Sequence, residues 1–405
     1  MTALVDTGLY PELQAFGATD ISACFSCGTC TAICPLAEHD ATFPRKIIRY
    51  AQVGLRDELL ASKELWSCYY CGECSESCPT QAGPSELMAA ARRYAIASYD
   101  RTRLARTMYL QPLLGTAVAL VLAAFFALFM YAQHGVERTD TLALFDFIPY
   151  SLIHTTGLVV MVVVALAGLA GIATMARRIA HVEGVSWHSL LGSRAALRRT
   201  AAALWSAIGL ESLGQTRYRQ ECDTGTSDAP TAVEPNPVTP LPWYRRRWFI
   251  HAATMWGFLG LLAATILDYG LDILGWKATG TPVPLWYPVR LLGTLAGVLL
   301  VYGTTVLIID RYRRADRSRL TSTSADWTLL VLLWITGVTG FVLELGLYLP
   351  TAPAWGYWVF LFHVAVAMEL VLLAPFMKLA HAVYRPVALF FLALARMPSG
   401  EAKAG

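Results

Sequence analysis

Eight of the nine cysteines fall between Cys24 and Pro79, in two copies of one pattern. The first copy is Cys24, Cys27, Cys30 and Cys34, closed by Pro35. The second is Cys68, Cys71, Cys74 and Cys78, closed by Pro79. Each reads C-x2-C-x2-C-x3-C-P, in which three closely spaced thiols wrap one face of a cube. One copy alone would also suit a zinc site or a redox pair. Two intact copies, each with its proline, leave little room for either. Four disulfides do not suit the regular spacing. Nor do they suit Met1–Asp20, which lacks the basic start and apolar core of a secretory signal and reads as a short arm.

The run is similar to that of bacterial two-cluster ferredoxins, which hold [4Fe–4S] clusters through thiolates. There the fourth cysteine, before the proline, reaches across to the other cluster. The resemblance implies Cys24, Cys27, Cys30 and Cys78 on one cluster, and Cys68, Cys71, Cys74 and Cys34 on the other. Such clusters are assembled in a reducing compartment, which puts this region on the cytoplasmic side.

The spacer between the runs is too long for a minimal ferredoxin. Pro44–Gly54 predicts a short helix, with proline at its start and glycine at its end. Arg56–Leu65 predicts a second, and the stretch from Pro84 a third that continues toward the membrane. The front domain, residues 1–105, is therefore expected to be α-helical rather than strand-rich.

The 405-residue chain is 56% apolar and only 15% charged. The apolar excess begins near Tyr109 and comes in long runs. A net charge of +3 gives no reason to invoke nucleic acid. Six runs reach the roughly 20 residues needed to span a bilayer: Tyr109–Ala132, Pro149–Thr174, Trp248–Tyr269, Val289–Ile309, Asp326–Tyr348 and Trp355–Ala380. Pro386–Arg396 is apolar but short, and reads as an interfacial helix. The expected fold is all-α, an α-helical two-cluster ferredoxin domain followed by a six-helix transmembrane cytochrome b bundle. Residues 106–175 carry helices one and two. Residues 176–247 form a cytoplasmic connection, with an amphipathic helix at Trp187–Ile208 and a flexible linker at Asp223–Pro242. Residues 248–397 carry the remainder.

With the cluster domain inside, the outer loops hold few basic residues, Arg138, Lys277 and Arg290. The inner segments hold most of the others, among them Arg101, Arg103, Arg177, Arg178, Arg245, Arg246, Arg247 and Arg311. The positive-inside bias thus places both termini in the cytoplasm and the chain in the cytoplasmic membrane. Cys222, alone before the linker, reads as a free thiol.

Four histidines lie in or at the ends of the spans, where ligand-capable residues are costly and usually functional. His363 and His381 are about five turns apart on one predicted helix, roughly 27 Å along its axis. They therefore mark the outer and inner depths. His154 matches the outer depth and His251 the inner. The expected pairs are His154 with His363 and His251 with His381, each an axial ligand set for one haem b. Pro375 between His363 and His381 makes the shared face approximate. Arg245, Arg246, Arg247 and Arg385 stand where inner haem propionates would be bound. Glu344 and Glu369 are candidates for proton exchange at a quinone.

The front resembles the small iron–sulfur subunit of heterodisulfide reductases (HdrC), on the cysteine runs, Pro44-Arg-Lys-Ile, Leu65-Trp-Ser-Cys68 and the Ala90-Ala-Arg-Arg-Tyr-Ala helix. The back is similar to cytochrome b subunits of the same enzymes and to gamma subunits of respiratory nitrate reductases, on His363/His381 and Arg247-Trp-Phe-Ile-His251. One departure is Leu261, where the nitrate reductase pattern would put a second histidine on the helix of His251. The fusion resembles the QmoC subunits of quinone-interacting membrane-bound oxidoreductases (Qmo). That resemblance implies two [4Fe–4S] clusters, two haems b, a quinone substrate, flavin-containing cytoplasmic partners like QmoA and QmoB, and service to adenylylsulfate reductase. Two rival expectations are a reductase acting directly on a disulfide or sulfur compound and a membrane redox sensor. Against the first, the chain has no adjacent cysteines. Against the second, no signalling module is visible.

Overall fold

The computed structural model describes residues 4–38, 43–221, 242–277, 283–313 and 321–397. Among the described residues every regular element is helical. Cys222 and the stretch from Asp223 to Leu241 lie outside them.

The front domain is built round the helix Pro84–Tyr99. Proline at its first position lacks only an N–H that would be unpaired there anyway. Leu87, Met88, Ala91, Tyr94, Ala95 and Tyr99 of this helix are all buried. Against it pack Leu9–Ala15 and Arg45–Val53, through Leu9, Leu13, Ile47 and Ile48. The helix expected over Arg56–Leu65 is shorter, Arg56–Leu60, and is followed by a tight turn at Glu64–Trp66. Pro84–Tyr99 does not run on into the membrane. It ends at Asp100, whose carboxylate accepts from the backbone N–H groups of Thr102 and Ala105 at 2.8 and 2.9 Å, opening the next helix, Leu104–Leu110.

Among the described residues seven helices, where six were expected, are long and apolar enough to cross a membrane. The first six are Pro112–Tyr131, Tyr150–Val182, Arg247–Ile273, Pro288–Tyr312, Ser324–Gly346 and Ala354–Phe376. Many of their large apolar side chains face outward, as in Leu113, Leu120, Leu158, Leu166 and Ile266. That is the surface a helix presents to lipid, since its own hydrogen bonds satisfy the backbone. The third helix packs on the fourth, the fourth on the fifth, the fifth on the sixth, and the sixth on the first.

The seventh helix, Lys378–Arg396, is longer than the interfacial segment expected from Pro386. The difference comes from a break. The helix from Ala354 ends at Leu373, a tight turn holds Pro375, Met377 is extended, and a second tight turn leads into His381–Arg396. Proline removes a helical N–H donor and crowds the preceding turn, so a break here follows from the sequence. His363 and His381 therefore do not share one continuous helix, and their five-turn separation along a single axis is not retained.

The seventh helix lies against the front domain. It packs on the second membrane helix, the Glu64–Trp66 turn and the stretch Arg194–Leu213. Tyr384 meets Trp66 and Tyr99 at ring-centroid distances of 5.5 and 5.2 Å. Such aromatic pairs add about 0.5–1.5 kcal/mol beyond burial. One apolar core runs from Leu9 through Tyr99 and Tyr384 to Leu300 and Leu373, so the front domain is fused to the bundle. Polar contacts strengthen the joint. Asp326, 2% exposed, lies 3.6 Å from Arg93 of the front domain and 3.4 Å from Lys378 of the broken segment.

Candidate functional site

The two cysteine loops are structural copies. Ser26 and Tyr70, each just before the second cysteine of its run, take left-handed backbone angles (φ 63° and 59°). Gly28 and Gly72, each just after it, do the same at φ 89° and 99°. Glycine accepts this conformation freely, whereas serine and tyrosine are strained in it. The chain thereby curls twice within four residues. A single helical turn follows in each copy, Thr29–Ala32 and Glu73–Glu76, carrying Cys30 and Cys74.

The thiols fall into two neighbouring groups. Cys30 interacts electrostatically with Cys24, Cys27 and Cys78. Cys34 interacts with Cys68 and Cys71, and Cys74 with Cys68, Cys71 and Cys34. The groups adjoin where Cys74 meets Cys30. Cys34, Cys68, Cys71 and Cys74 line one cavity with Leu36, Phe43 and Met88, an empty volume of about 420 Å³ counting its open mouth. Among the described residues no three metal-binding side chains converge on a single ion. The four thiols that line the cavity, Cys34, Cys68, Cys71 and Cys74, are the donor set that an iron–sulfur cluster takes.

Burial pushes the Cys34 thiol up to about 12 and raises Cys30, Cys68 and Cys74 as well. Removed from water, a thiol resists ionisation unless a cation stands beside it, which makes these thiols poor nucleophiles. Cys27 differs. It is exposed, and a contact with the Thr29 hydroxyl at 3.3 Å lowers its pKa.

The Cys68–Cys71 loop rests on two membrane helices. Arg247 donates to the carbonyls of Cys71 and Tyr70 at 3.0 and 3.1 Å. Arg385 reaches the carbonyls of Cys68 and Ser67 at 3.4 and 3.5 Å, and its guanidinium lies 4.3 Å from the Tyr69 ring centre. His251 stands one helical turn after Arg247, and His381 one turn before Arg385, so each arginine and histidine share a helix face. The His251 and His381 rings face each other at 6.2 Å between centroids, inclined at 59°. A first-row metal about 2 Å from each imidazole nitrogen would put ring centres roughly 6 Å apart. Arg247 and Arg385 thus hold the cysteine loop, and Arg245 pairs with Asp310 at 3.6 Å.

The tautomers are set by neighbours. His251 Nδ1 lies 3.1 Å from Gln215 Oε1, and His381 Nδ1 lies 2.6 Å from the Lys378 carbonyl in the turn that breaks the sixth helix. Both partners are acceptors, so Nδ1–H donates and Nε2 keeps its lone pair. His363 shows the same arrangement. Thr339 donates its hydroxyl proton to the Ile335 carbonyl at 2.7 Å, so its oxygen accepts from His363 Nδ1 at 2.8 Å. A second partner that fixes ring orientation and basicity is what a metal-bound histidine needs.

The His154 ring lies 4.0 Å from that of Tyr150 and 4.5 Å from that of Tyr269, stacked on the latter. At the same end of the bundle, Glu344 is bound by Arg290 at 3.3 Å and Thr294 at 3.2 Å, and the Arg290 guanidinium lies 4.8 Å from the Tyr348 ring centre. Glu369 is buried, and its Oε1 has no hydrogen-bond partner among the described residues.

Sequence reasoning missed Gln215, Tyr218 and Tyr69. The first two lie in the stretch read as a connection, and nothing in their spacing marks them. Tyr69 offered one signal, an aromatic ring between two cysteines of a run.

Residues 20–82 match a 4Fe-4S dicluster domain, and residues 102–402 match a family described as Citrate utilization protein B. The chain is 39% identical over 62 residues to a subunit of the H(2):CoB-CoM heterodisulfide,ferredoxin reductase of Methanothermobacter thermautotrophicus, covering 15% of this chain and 34% of that one. It is 41% identical over 56 residues to an iron–sulfur subunit of the CoB–CoM heterodisulfide reductase of Methanopyrus kandleri, covering 14% and 29%. It is 30% identical over 160 residues to the citrate utilization protein B of Escherichia coli, covering 39% and 40%. The chain therefore spans less than half the length of each of these relatives. No solved structure matches. The front is homologous to iron–sulfur subunits of heterodisulfide reductases, and it stands on a bundle of apolar helices that match a second family over most of the sequence. By that longer match, the chain belongs to the citrate utilization protein B family.

Proposed function

We propose that this chain is a subunit of the cytoplasmic membrane that passes electrons between a membrane quinone and a flavin-containing soluble partner. The relay would hold two [4Fe–4S] clusters and two haems b, which supply one-electron chemistry when bound. One observation carries the reading. Arg247 and Arg385 grip the Cys68–Cys71 loop, and one turn along the same two helices His251 and His381 face each other.

In this reading Cys24, Cys27, Cys30 and Cys78 hold one cluster, and Cys34, Cys68, Cys71 and Cys74 the other. His251 and His381 hold the inner haem through Nε2. His363, its tautomer set by Thr339, holds the outer haem with His154 as its nominated partner. Tyr69, Arg385 and Tyr384 pack the space between the loop and the bundle and exclude water from it. Glu344, held by Arg290 and Thr294, exchanges the proton at the quinone end. The cluster domain and both termini face the cytoplasm.

The partner's identity separates two versions. The likeness to Qmo gives flavoproteins serving adenylylsulfate reductase. The longer family match, by its name, points to a partner in citrate utilization, and that match favours the second version. Purification from membranes under anaerobic conditions tests the core claim. The protein should carry non-haem iron and acid-labile sulfide of about eight each per chain, together with bis-imidazole haem spectra. A preparation with full non-haem iron and no haem would reject the membrane half of the relay. Flavoproteins retained on the column, assayed with adenylylsulfate or with citrate and related tricarboxylates, separate the two versions.

A further inference from the structure

We infer that Gln215 is a positioning residue for His251 and sets how strongly that imidazole donates through Nε2. The inference rests on the proposed role of His251 as a cofactor ligand.

Gln215 is 5% exposed and sits in a kink between the wide helical turn Trp205–Leu213 and the short helix Thr216–Glu221. Its backbone is left-handed at φ 51°, a conformation that a residue with a Cβ keeps only when its surroundings hold it. The holding contacts are visible. The side-chain amide N–H donates to Met255 Sδ at 3.6 Å, which turns Oε1 toward His251 Nδ1 at 3.1 Å. Met255 is one turn beyond His251 on the same helix, so the amide bridges two successive turns of its face. Three residues on, Tyr218 packs edge-on against the His251 ring at 6.1 Å and stacks on Tyr69 at 4.8 Å. The Tyr69 hydroxyl in turn donates to Glu211 at 3.2 Å. The kink is thus fastened at once to the membrane histidine and to the tyrosine between Cys68 and Cys71.

The two facing histidines are supported differently. His381 donates to a backbone carbonyl, which no side-chain change alters. His251 donates to a side-chain amide. An acceptor on Nδ1–H raises the basicity of a ligating imidazole, and ligand basicity is one lever on a metal's reduction potential. A stronger donor favours the oxidised ion and lowers the potential. Gln215 is therefore where a stretch outside the bundle adjusts the membrane site.

The test is an equilibrium redox titration of the full-length protein in detergent, followed in the haem absorbance bands, for wild type, Gln215→Leu and Gln215→Glu. Leucine removes the acceptor and should shift the midpoint of the His251 site upward. Glutamate offers an acceptor at least as strong and should titrate below the leucine variant, with the His363 site unmoved in both. A leucine variant at the wild-type potential, or two variants with equal potentials, would overturn the inference while leaving the haem reading intact. If His251→Ala retains every haem of the wild type, the ligand reading fails and the inference fails with it.

Discussion

Arg247 and His251 lie one turn apart on the third membrane helix, the first bonded to the Cys71 carbonyl and the second facing His381 across 6.2 Å. Arg385 and His381 repeat the relationship on the seventh helix, in the opposite chain direction. Two helices far apart in sequence thus present the same pair to the same loop. A shift of either helix would move a cysteine loop and an imidazole together.

The facing rings predict a shared cofactor. His251→Ala and His381→Ala should each remove the same haem and leave the one at His363, read in redox-titrated difference spectra. Loss of different haems in the two variants would contradict a joint site.

The thiol grouping predicts crosswise damage. Cys34→Ser and Cys74→Ser should abolish the same cluster signal in electron paramagnetic resonance, and Cys78→Ser the other. If Cys34→Ser and Cys30→Ser instead behave alike, each run keeps its own fourth ligand.

The joint between front domain and bundle predicts a large loss at Asp326. Asp326→Ala leaves Arg93 and Lys378 without their buried carboxylate, which costs about 3–5 kcal/mol when a buried pair is broken. Thermal unfolding followed by circular dichroism measures it. A loss of about 1 kcal/mol or less, the range of an exposed pair, would mean that the apolar core alone holds the domains together.

Glu64 predicts a limb of acid sensitivity. Its carboxyl is buried, which works against ionisation, but Lys46 at 2.9 Å and the Ser62 hydroxyl at 2.7 Å outweigh that and hold it near about 2, below the ordinary 4.5. A depressed carboxylate contributes stability that is present above its unfolded value and fades as pH falls toward its folded one. Unfolding stability should therefore drop between pH 4.5 and about 2. Glu64→Gln should flatten that limb, and an unchanged acid profile would remove Glu64 from the account.

Glu344 predicts the quinone end. Glu344→Gln keeps a polar side chain but removes the proton acceptor. It should slow quinol-driven reduction of the haems by about 100-fold, the scale of general-base loss, while dithionite-reduced spectra stay intact. Equal slowing with a soluble reductant would place the defect elsewhere.

Much of this was legible in the chain itself. Two cysteine runs with their prolines mark an iron–sulfur domain because thiol spacing is a local property. Long apolar stretches mark membrane helices because each span satisfies its own backbone. Pro375 warned of the break that the structure shows, though not that the freed Lys378 carbonyl would hold His381. Depth along a helix could nominate His251 beside His381 and His154 beside His363, but could not show that the His154 ring would stack on Tyr269. Depth gives one coordinate of three. Rotation about the helix axis and the neighbour across the gap come only from packing. Gln215 shows the limit most plainly. It is an ordinary residue in an ordinary connecting stretch, and its place against His251 is decided by a kink held from Met255 on one side and Tyr69 on the other, contacts that no local pattern encodes.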